Sequence, residues 1–153
     1  VSRRPMLVLI HGRANFLNCS PLKTFFRKMF DKGEREFLLD FSKCTGMDST
    51  FLGILAGTAL EARRETPQGE VQLAGLDQRN LELVNNLGLR RIVTIAEDNL
   101  KESDNTSTGL SGEVQTEEEK KEMLIESHED LVKLDEANLN KFEDLLTFLK
   151  NED

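Results

Sequence analysis

The sequence predicts an α/β protein: a small layer of mostly parallel strands with helices, followed by a C-terminal helical appendage. Three observations carry this. Apolar runs alternate with amphipathic helical stretches between residues 6 and 95, the order that parallel strands joined by crossovers require. A stretch from Lys101 to Thr116 is rich in Ser, Thr, Asn, Gly and Glu and reads as a linker. Beyond it, helical periodicity returns from Glu117 to Lys150.

The elements follow in order. Met6 to Ile10 is a continuous apolar run, as in a strand covered on both faces. A helix follows, with Ser20 placed to cap it, Pro21 suited to its first position and Gly33 suited to its end. Leu22, Phe25, Phe26, Met29 and Phe30 repeat at helical spacing and form its core face. Glu36 to Phe41 reads as a second strand. Thr50 to about Arg64 reads as a second helix, with Leu52, Leu55, Ala56 and Ala59 on one face. A turn at Thr66-Pro-Gln-Gly69 leads to a third strand, Val71 to Ala74. Asn80 to Leu87 is a short helix ended by Gly88, and Ile92 to Ile95 is a fourth strand. In the appendage Phe142, Leu145, Leu146 and Leu149 make one apolar stripe, and Leu124, Leu131 and Leu134 a weaker one. Asp135 to Asn138 either breaks this region into two helices or sits within one. A stripe on an isolated helix stays exposed to water, so it is expected to dock. The organisation expected is a domain over residues 1–100, a linker over 101–116 and an acidic helical appendage over 117–153.

Charge divides the chain in the same place. Residues 1–100 carry 14 basic and 12 acidic side chains, whereas residues 101–153 carry 6 and 16. The acidic balance, −8 over the whole chain, argues against a nucleic-acid partner, whose phosphates it would repel. Arg63, Arg64, Arg90 and Arg91 are candidate contacts for the appendage. No apolar run approaches the roughly 20 residues that span a bilayer. The run after Arg3 and Arg4 is too short for a signal-peptide core, so the expected location is cytoplasmic, without a membrane partner. Cys19 and Cys44, the only cysteines, are then expected as reduced, buried or half-buried thiols.

Few residues point to catalysis. There is no Gly-rich phosphate loop, no GxSxG elbow, and no His or Cys pair at zinc-ligand spacing, so no cofactor or metal is expected. His11 reads as a structural histidine and His128 as a solvated residue of an acidic helix. The informative segment is Asp40-Phe-Ser-Lys-Cys-Thr-Gly-Met-Asp-Ser-Thr-Phe-Leu-Gly-Ile-Leu55, read as a strand, a short loop and a helix start. Asp48 or Ser49 stands where a cap belongs. Gly53 inside a helix costs about 1 kcal/mol relative to Ala, which suggests close approach of another backbone or of a partner. The plain alternative is that Ser49 only caps and Gly53 only packs.

Asp40, Ser42, Asp48, Ser49, Thr50, Leu52, Gly53 and Leu55 match in register the pattern D-x-S-x-x-x-x-x-D-S-[ST]-[GA]-L-G-x-L of STAS domains. The segment, and the order of elements over roughly residues 6–96, resemble that family and most of all bacterial anti-sigma factor antagonists. Ile10-His-Gly12 also resembles the end of the family's second strand. Two departures stand out: Phe51 replaces a small residue, and little chain precedes Met6, so the family's first edge strand is expected to be short, missing or trimmed. The resemblance implies a protein-binding module and no enzyme, with Ser49 as phosphorylation site. It implies Asp40, Ser42, Asp48, Ser49, Thr50, Phe51 and Gly53 as partner-binding residues. The implied partners are a serine kinase that is itself the anti-sigma factor, bound when Ser49 is unphosphorylated, and a PP2C-type phosphatase that restores that form. The alternative within the family is a STAS subunit of a lipid-transport ABC complex. Phe51 is open to two readings, an exposed interface anchor or a core residue.

Overall fold

The computed structural model of the chain describes residues 5–96, 109–110 and 114–151. Four strands, β1 (Met6–Ala14), β2 (Glu36–Met47), β3 (Glu70–Ala74) and β4 (Thr94–Ile95), form one sheet in the order β1-β2-β3-β4, with every neighbouring pair parallel. They alternate with α1 (Ser20–Asp31), α2 (Ser49–Arg64) and α3 (Gln78–Asn86), and a 3₁₀ turn at Leu89–Arg91 precedes β4. Two further helices, α4 (Glu117–Leu134) and α5 (Ala137–Asn151), complete the chain. Most of the interval expected as a linker lies outside the described residues. Its last residue, Thr116, belongs to α4, which it caps: its hydroxyl accepts from the Glu119 amide while the Glu119 carboxylate accepts from its own.

Strand order explains the one-sided sheet. Consecutive parallel strands with crossovers of one hand bring their helices to the same face. Val8, Ile10, Phe37, Leu39, Phe41, Val71 and Leu73 are buried in that face with Phe26 of α1, Leu55 of α2 and Val84 of α3. Residues between them face the other way, and Leu7 and Leu9 stay 41% and 39% exposed. The apolar run of β1 is thus covered on one face, which corrects the expectation of two covered faces. His11 lies within β1 and is exposed.

The ends of the elements follow local chemistry. Cys19 occupies the cap of α1, so Ser20 is its first residue and Pro21 stands within the first turn. Gly33, with φ of +89°, closes α1 in the left-handed region that suits glycine, and the Glu34 amide donates to the Met29 carbonyl at 2.9 Å. β2 continues through Ser42 to Met47, beyond the expected end at Phe41, because β1 also runs on to Ala14 and pairs with it. Both cysteines are free and buried, as expected of reduced thiols.

α2 is buried nearly all round. Thr50 to Ala56, Thr58, Ala59 and Ala62 are withdrawn from solvent, the sheet lying on one side of the helix and α4 on the other. The acidic helices thus close over α2. Asp135 ends α4, and α5 turns back along it. Leu146 and Leu149 are buried, Phe142 is half-buried and Leu145 is 36% exposed, so the α5 stripe is mostly covered. Among the four arginines considered as contacts, Arg91 pairs with Asp135 at 3.7 Å; Lys23 of α1 pairs with Glu126 at 2.8 Å. These pairs are exposed or partly exposed and add little, about 0–1 kcal/mol each. The buried Met123 and Leu131 supply the apolar hold.

Candidate functional site

The site is the start of α2. Asp48 is its N-cap: one carboxylate oxygen accepts from the Phe51 amide at 2.9 Å and the other from the Phe16 amide at 2.8 Å. The Asp48 amide donates to the Ala14 carbonyl at 3.1 Å. One carboxylate therefore satisfies an orphan amide of the helix and ties down the loop after β1. This capping leaves the Ser49 hydroxyl free for another role.

That role is a hydrogen bond to His128 of α4, with Ser49 Oγ and His128 Nε2 2.7 Å apart. The ring's other nitrogen, Nδ1, lies 2.7 Å from the Leu124 carbonyl oxygen. A carbonyl only accepts, so Nδ1 carries the proton. In the neutral ring Nε2 is then the acceptor and the Ser49 hydroxyl donates. Burial pushes the His128 pKa down; the hydrogen bond to the Leu124 carbonyl and the charge of Asp48 act the other way. His128 is 1% exposed and stacks edge-on against Phe142 of α5 at 4.8 Å. The expectation of a solvated histidine is therefore wrong. Its position was readable in the spacing: Leu124, His128 and Leu131 stand at i, i+4 and i+7, on one helix face.

Gly53 is buried where α2 meets α4. A Cβ on it would fall inside the van der Waals envelope of the Ser127 carbonyl, and one on Gly57 would meet the Asp130 carboxylate. Close approach of another backbone was one reading of Gly53, and α4 is what approaches. Burial pushes the Asp130 carboxyl pKa up, and Glu126 adds to this.

The other candidate residues divide. Asp40 and Ser42 lie on β2, where the Asp40 carboxylate accepts from the Ser42 amide at 2.9 Å. Gly75 presses against both, since a Cβ there would come 2.8 Å from the Asp40 carboxylate and the Ser42 amide nitrogen. Thr50 is 3% exposed. Phe51 is 1% exposed and meets Phe41 edge-on at 6.1 Å. Phe51 is thus a core residue and not an exposed anchor: the first turn of α2 points this side chain at the sheet. Its placement among partner-contacting residues is corrected accordingly.

Ser49 and His128 have the donor–acceptor order of a nucleophile and its base. The ring is oriented by a backbone carbonyl, however, and among the described residues no carboxylate bonds it. The groove of about 640 Å³ between α1, α2 and α4 is lined by Lys23, Arg27, Arg64, Asp130 and Lys133 among others, and not by Ser49 or His128. Ser49 is half-buried, with its hydroxyl engaged by His128. Among the described residues no cluster of His, Cys, Asp and Glu could hold a metal ion, and no helix is long and apolar enough to cross a membrane.

A parallel sheet backed by helices, with an Asp-Ser pair opening the second of them, defines a STAS domain. The family model described as "Mlab, STAS domain" matches residues 2–94, and the chain belongs to this family. The solved structure of the anti-sigma factor antagonist SpoIIAA in its unphosphorylated form is similar in fold, with a TM-score of 0.51 at 16% identity, over 65% of this chain and 84% of that one. No curated protein sequence matches the chain.

Proposed function

We propose that this STAS domain is a protein-binding module and not an enzyme, switched by phosphate on Ser49 in the manner of an anti-sigma factor antagonist. On this reading residues 1–100 form the module and the acidic helices are an addition to it. The carrying observation is the division of labour at the start of α2: Asp48 caps the helix, so the Ser49 hydroxyl is not needed for capping. A phosphate adds about −1.5 to −2 charges at pH 7. At a helix start it meets partly positive amides, so the sheet domain tolerates it. At an interface, beside Asp48, the same charge and bulk repel an acidic or close-packed partner. The proposed partners are a serine kinase acting as anti-sigma factor and a PP2C-type phosphatase, met in the cytoplasm.

Co-purification from native extract with and without ATP, followed by mass spectrometry, tests this. The expected result is a kinase-like partner and phosphate on Ser49, with Ser49→Ala still bound but unmodified. Phosphate found elsewhere and none on Ser49 rejects the site. A second reading, a STAS subunit bracing the ATPase of a lipid-transport complex, is favoured by the engagement of the Ser49 hydroxyl with His128, which such a role need not disturb. Recovery of an ABC ATPase in place of a kinase selects it.

A further inference from the structure

We propose that the α4–α5 hairpin is a latch over Ser49, and that a phosphate on Ser49 and the closed hairpin exclude each other. Modification of Ser49 then requires the hairpin to lift, and phosphate keeps it from closing. The physiological trigger rests on the phosphosite reading above, whereas the latch follows from contacts that need no partner.

Space is the first argument. Ser49 is half-buried, and its Oγ lies 2.7 Å from His128 Nε2, so a phosphoryl group that takes the place of the hydroxyl proton along this bond stands where the imidazole now stands. The ring cannot swing aside, because Phe142 closes one side of it and the Leu124 carbonyl holds Nδ1. Nor can α4 press closer to α2, where the Ser127 carbonyl already lies against Gly53. Along this direction displacement of α4 is what makes room.

Charge is the second. Nε2 presents a lone pair, and a phosphate dianion presents only acceptor oxygens, so the two repel unless the ring takes a proton. Burial opposes that proton. The groups facing the ring among the described residues are Asp48 at the cap of α2, Ser49 of α2, Phe142 from α5, and Leu124 and Ser127 of α4 itself. Among the described residues none of these groups is a cation that could offset a phosphate dianion there.

Position is the third. The far end of the hairpin is fixed separately: Asn138 donates to the Leu87 carbonyl at 3.0 Å, and Lys141 donates to the Asn86 carbonyl at 2.7 Å. These bonds are made at the end of α3, and none involves Ser49 or His128. The part of α4 that carries His128 can therefore lift while the turn at Asp135 stays anchored.

Hydrogen exchange read by mass spectrometry tests the latch on the full chain, comparing the unmodified protein, phosphoserine incorporated at position 49, Ser49→Ala and Gly53→Ala. The expected result is at least a tenfold faster exchange across residues 117–128 with phosphoserine and with Gly53→Ala, a smaller change with Ser49→Ala, and unaltered protection of residues 37–41 and 71–74. Protection of α4 that survives phosphoserine overturns the proposal, because the ring then accommodates the phosphate. Loss of sheet protection along with that of α4 also overturns it, since the hairpin is then an inseparable part of the fold. Neither result bears on whether a kinase exists. Absence of a kinase from extract in turn sinks the switch and leaves the exchange result standing.

Discussion

The carbonyl of Ser127 lies where a Cβ on Gly53 would stand, so α2 and α4 approach more closely than any larger residue at position 53 allows. In an ordinary helix Ala replaces Gly with a gain of about 1 kcal/mol. Here the methyl group meets a backbone atom that moves only with the whole of α4. Overpacking of this kind costs about 1–3 kcal/mol. Gly53→Ala is therefore expected to lower stability in urea denaturation despite its better helix propensity. An unchanged or raised midpoint would mean that α4 does not sit on α2 in solution.

Phe51 fills the space between α2 and the sheet, edge-on to Phe41. Truncation of a fully buried Phe to Ala costs about 3–5 kcal/mol. Phe51→Ala should melt far below the parent, and Phe51→Leu, which keeps much of the volume, should lose less. A Phe51→Ala protein with parental stability and weakened partner binding would return this residue to the interface.

How much of this was legible in the sequence depended on the range of the contacts. Four strands and the helices between them follow from local periodicity, and Asp48 and Ser49 from a motif contiguous in the chain. The length of β2 was missed because Thr45 and Gly46 read as loop, whereas pairing with β1 keeps them extended. Burial of α2 on two sides was half seen. Its run from Ser49 to Leu60 carries no charge, which signals a helix covered all round, although Leu52, Leu55, Ala56 and Ala59 by themselves mark one face only. His128 was hardest, because it meets Ser49 across 79 residues and its acidic neighbours suggested exposure. Only its spacing with Leu124 and Leu131 set it on the inner face.

Asp48 joins two elements through one carboxylate, to the Phe51 and Phe16 amides. Asp48→Asn keeps an oxygen for one of the two bonds and removes the charge that suits a helix start. Asp48→Ala removes both bonds. Loss of a cap costs about 0.5–2 kcal/mol, and the second lost bond adds about 1 kcal/mol. The expected order of thermal stability is parent, then Asn, then Ala. If Ala and Asn are equal, the bond that Asn retains contributes nothing in solution.

The pH dependence of hairpin docking follows from His128 and Asp130, which act in opposite senses. Burial holds the His128 pKa below its ordinary value, so the open or unfolded chain takes up a proton first as pH falls through about 6.5. Above that pH both states carry a neutral ring and docking is at full strength. Below it, stability is lost progressively until the docked ring itself protonates. The Asp130 carboxyl pKa is raised by burial, so its charged form is penalised in the docked state. That penalty is present above its docked pKa and is relieved as pH falls through it, which adds stability at more acidic pH. Between pH 7.5 and 5.5 the His128 contribution should therefore appear as a falling midpoint of denaturation. His128→Gln removes the titrating ring, so its midpoint should fall less over the same interval, even if it starts lower. The comparison isolates His128 from Asp130, whose carboxyl both proteins retain. Parallel pH profiles for the two proteins would show that His128 is not held neutral against Ser49, and the hydroxyl of Ser49 would then have some other partner.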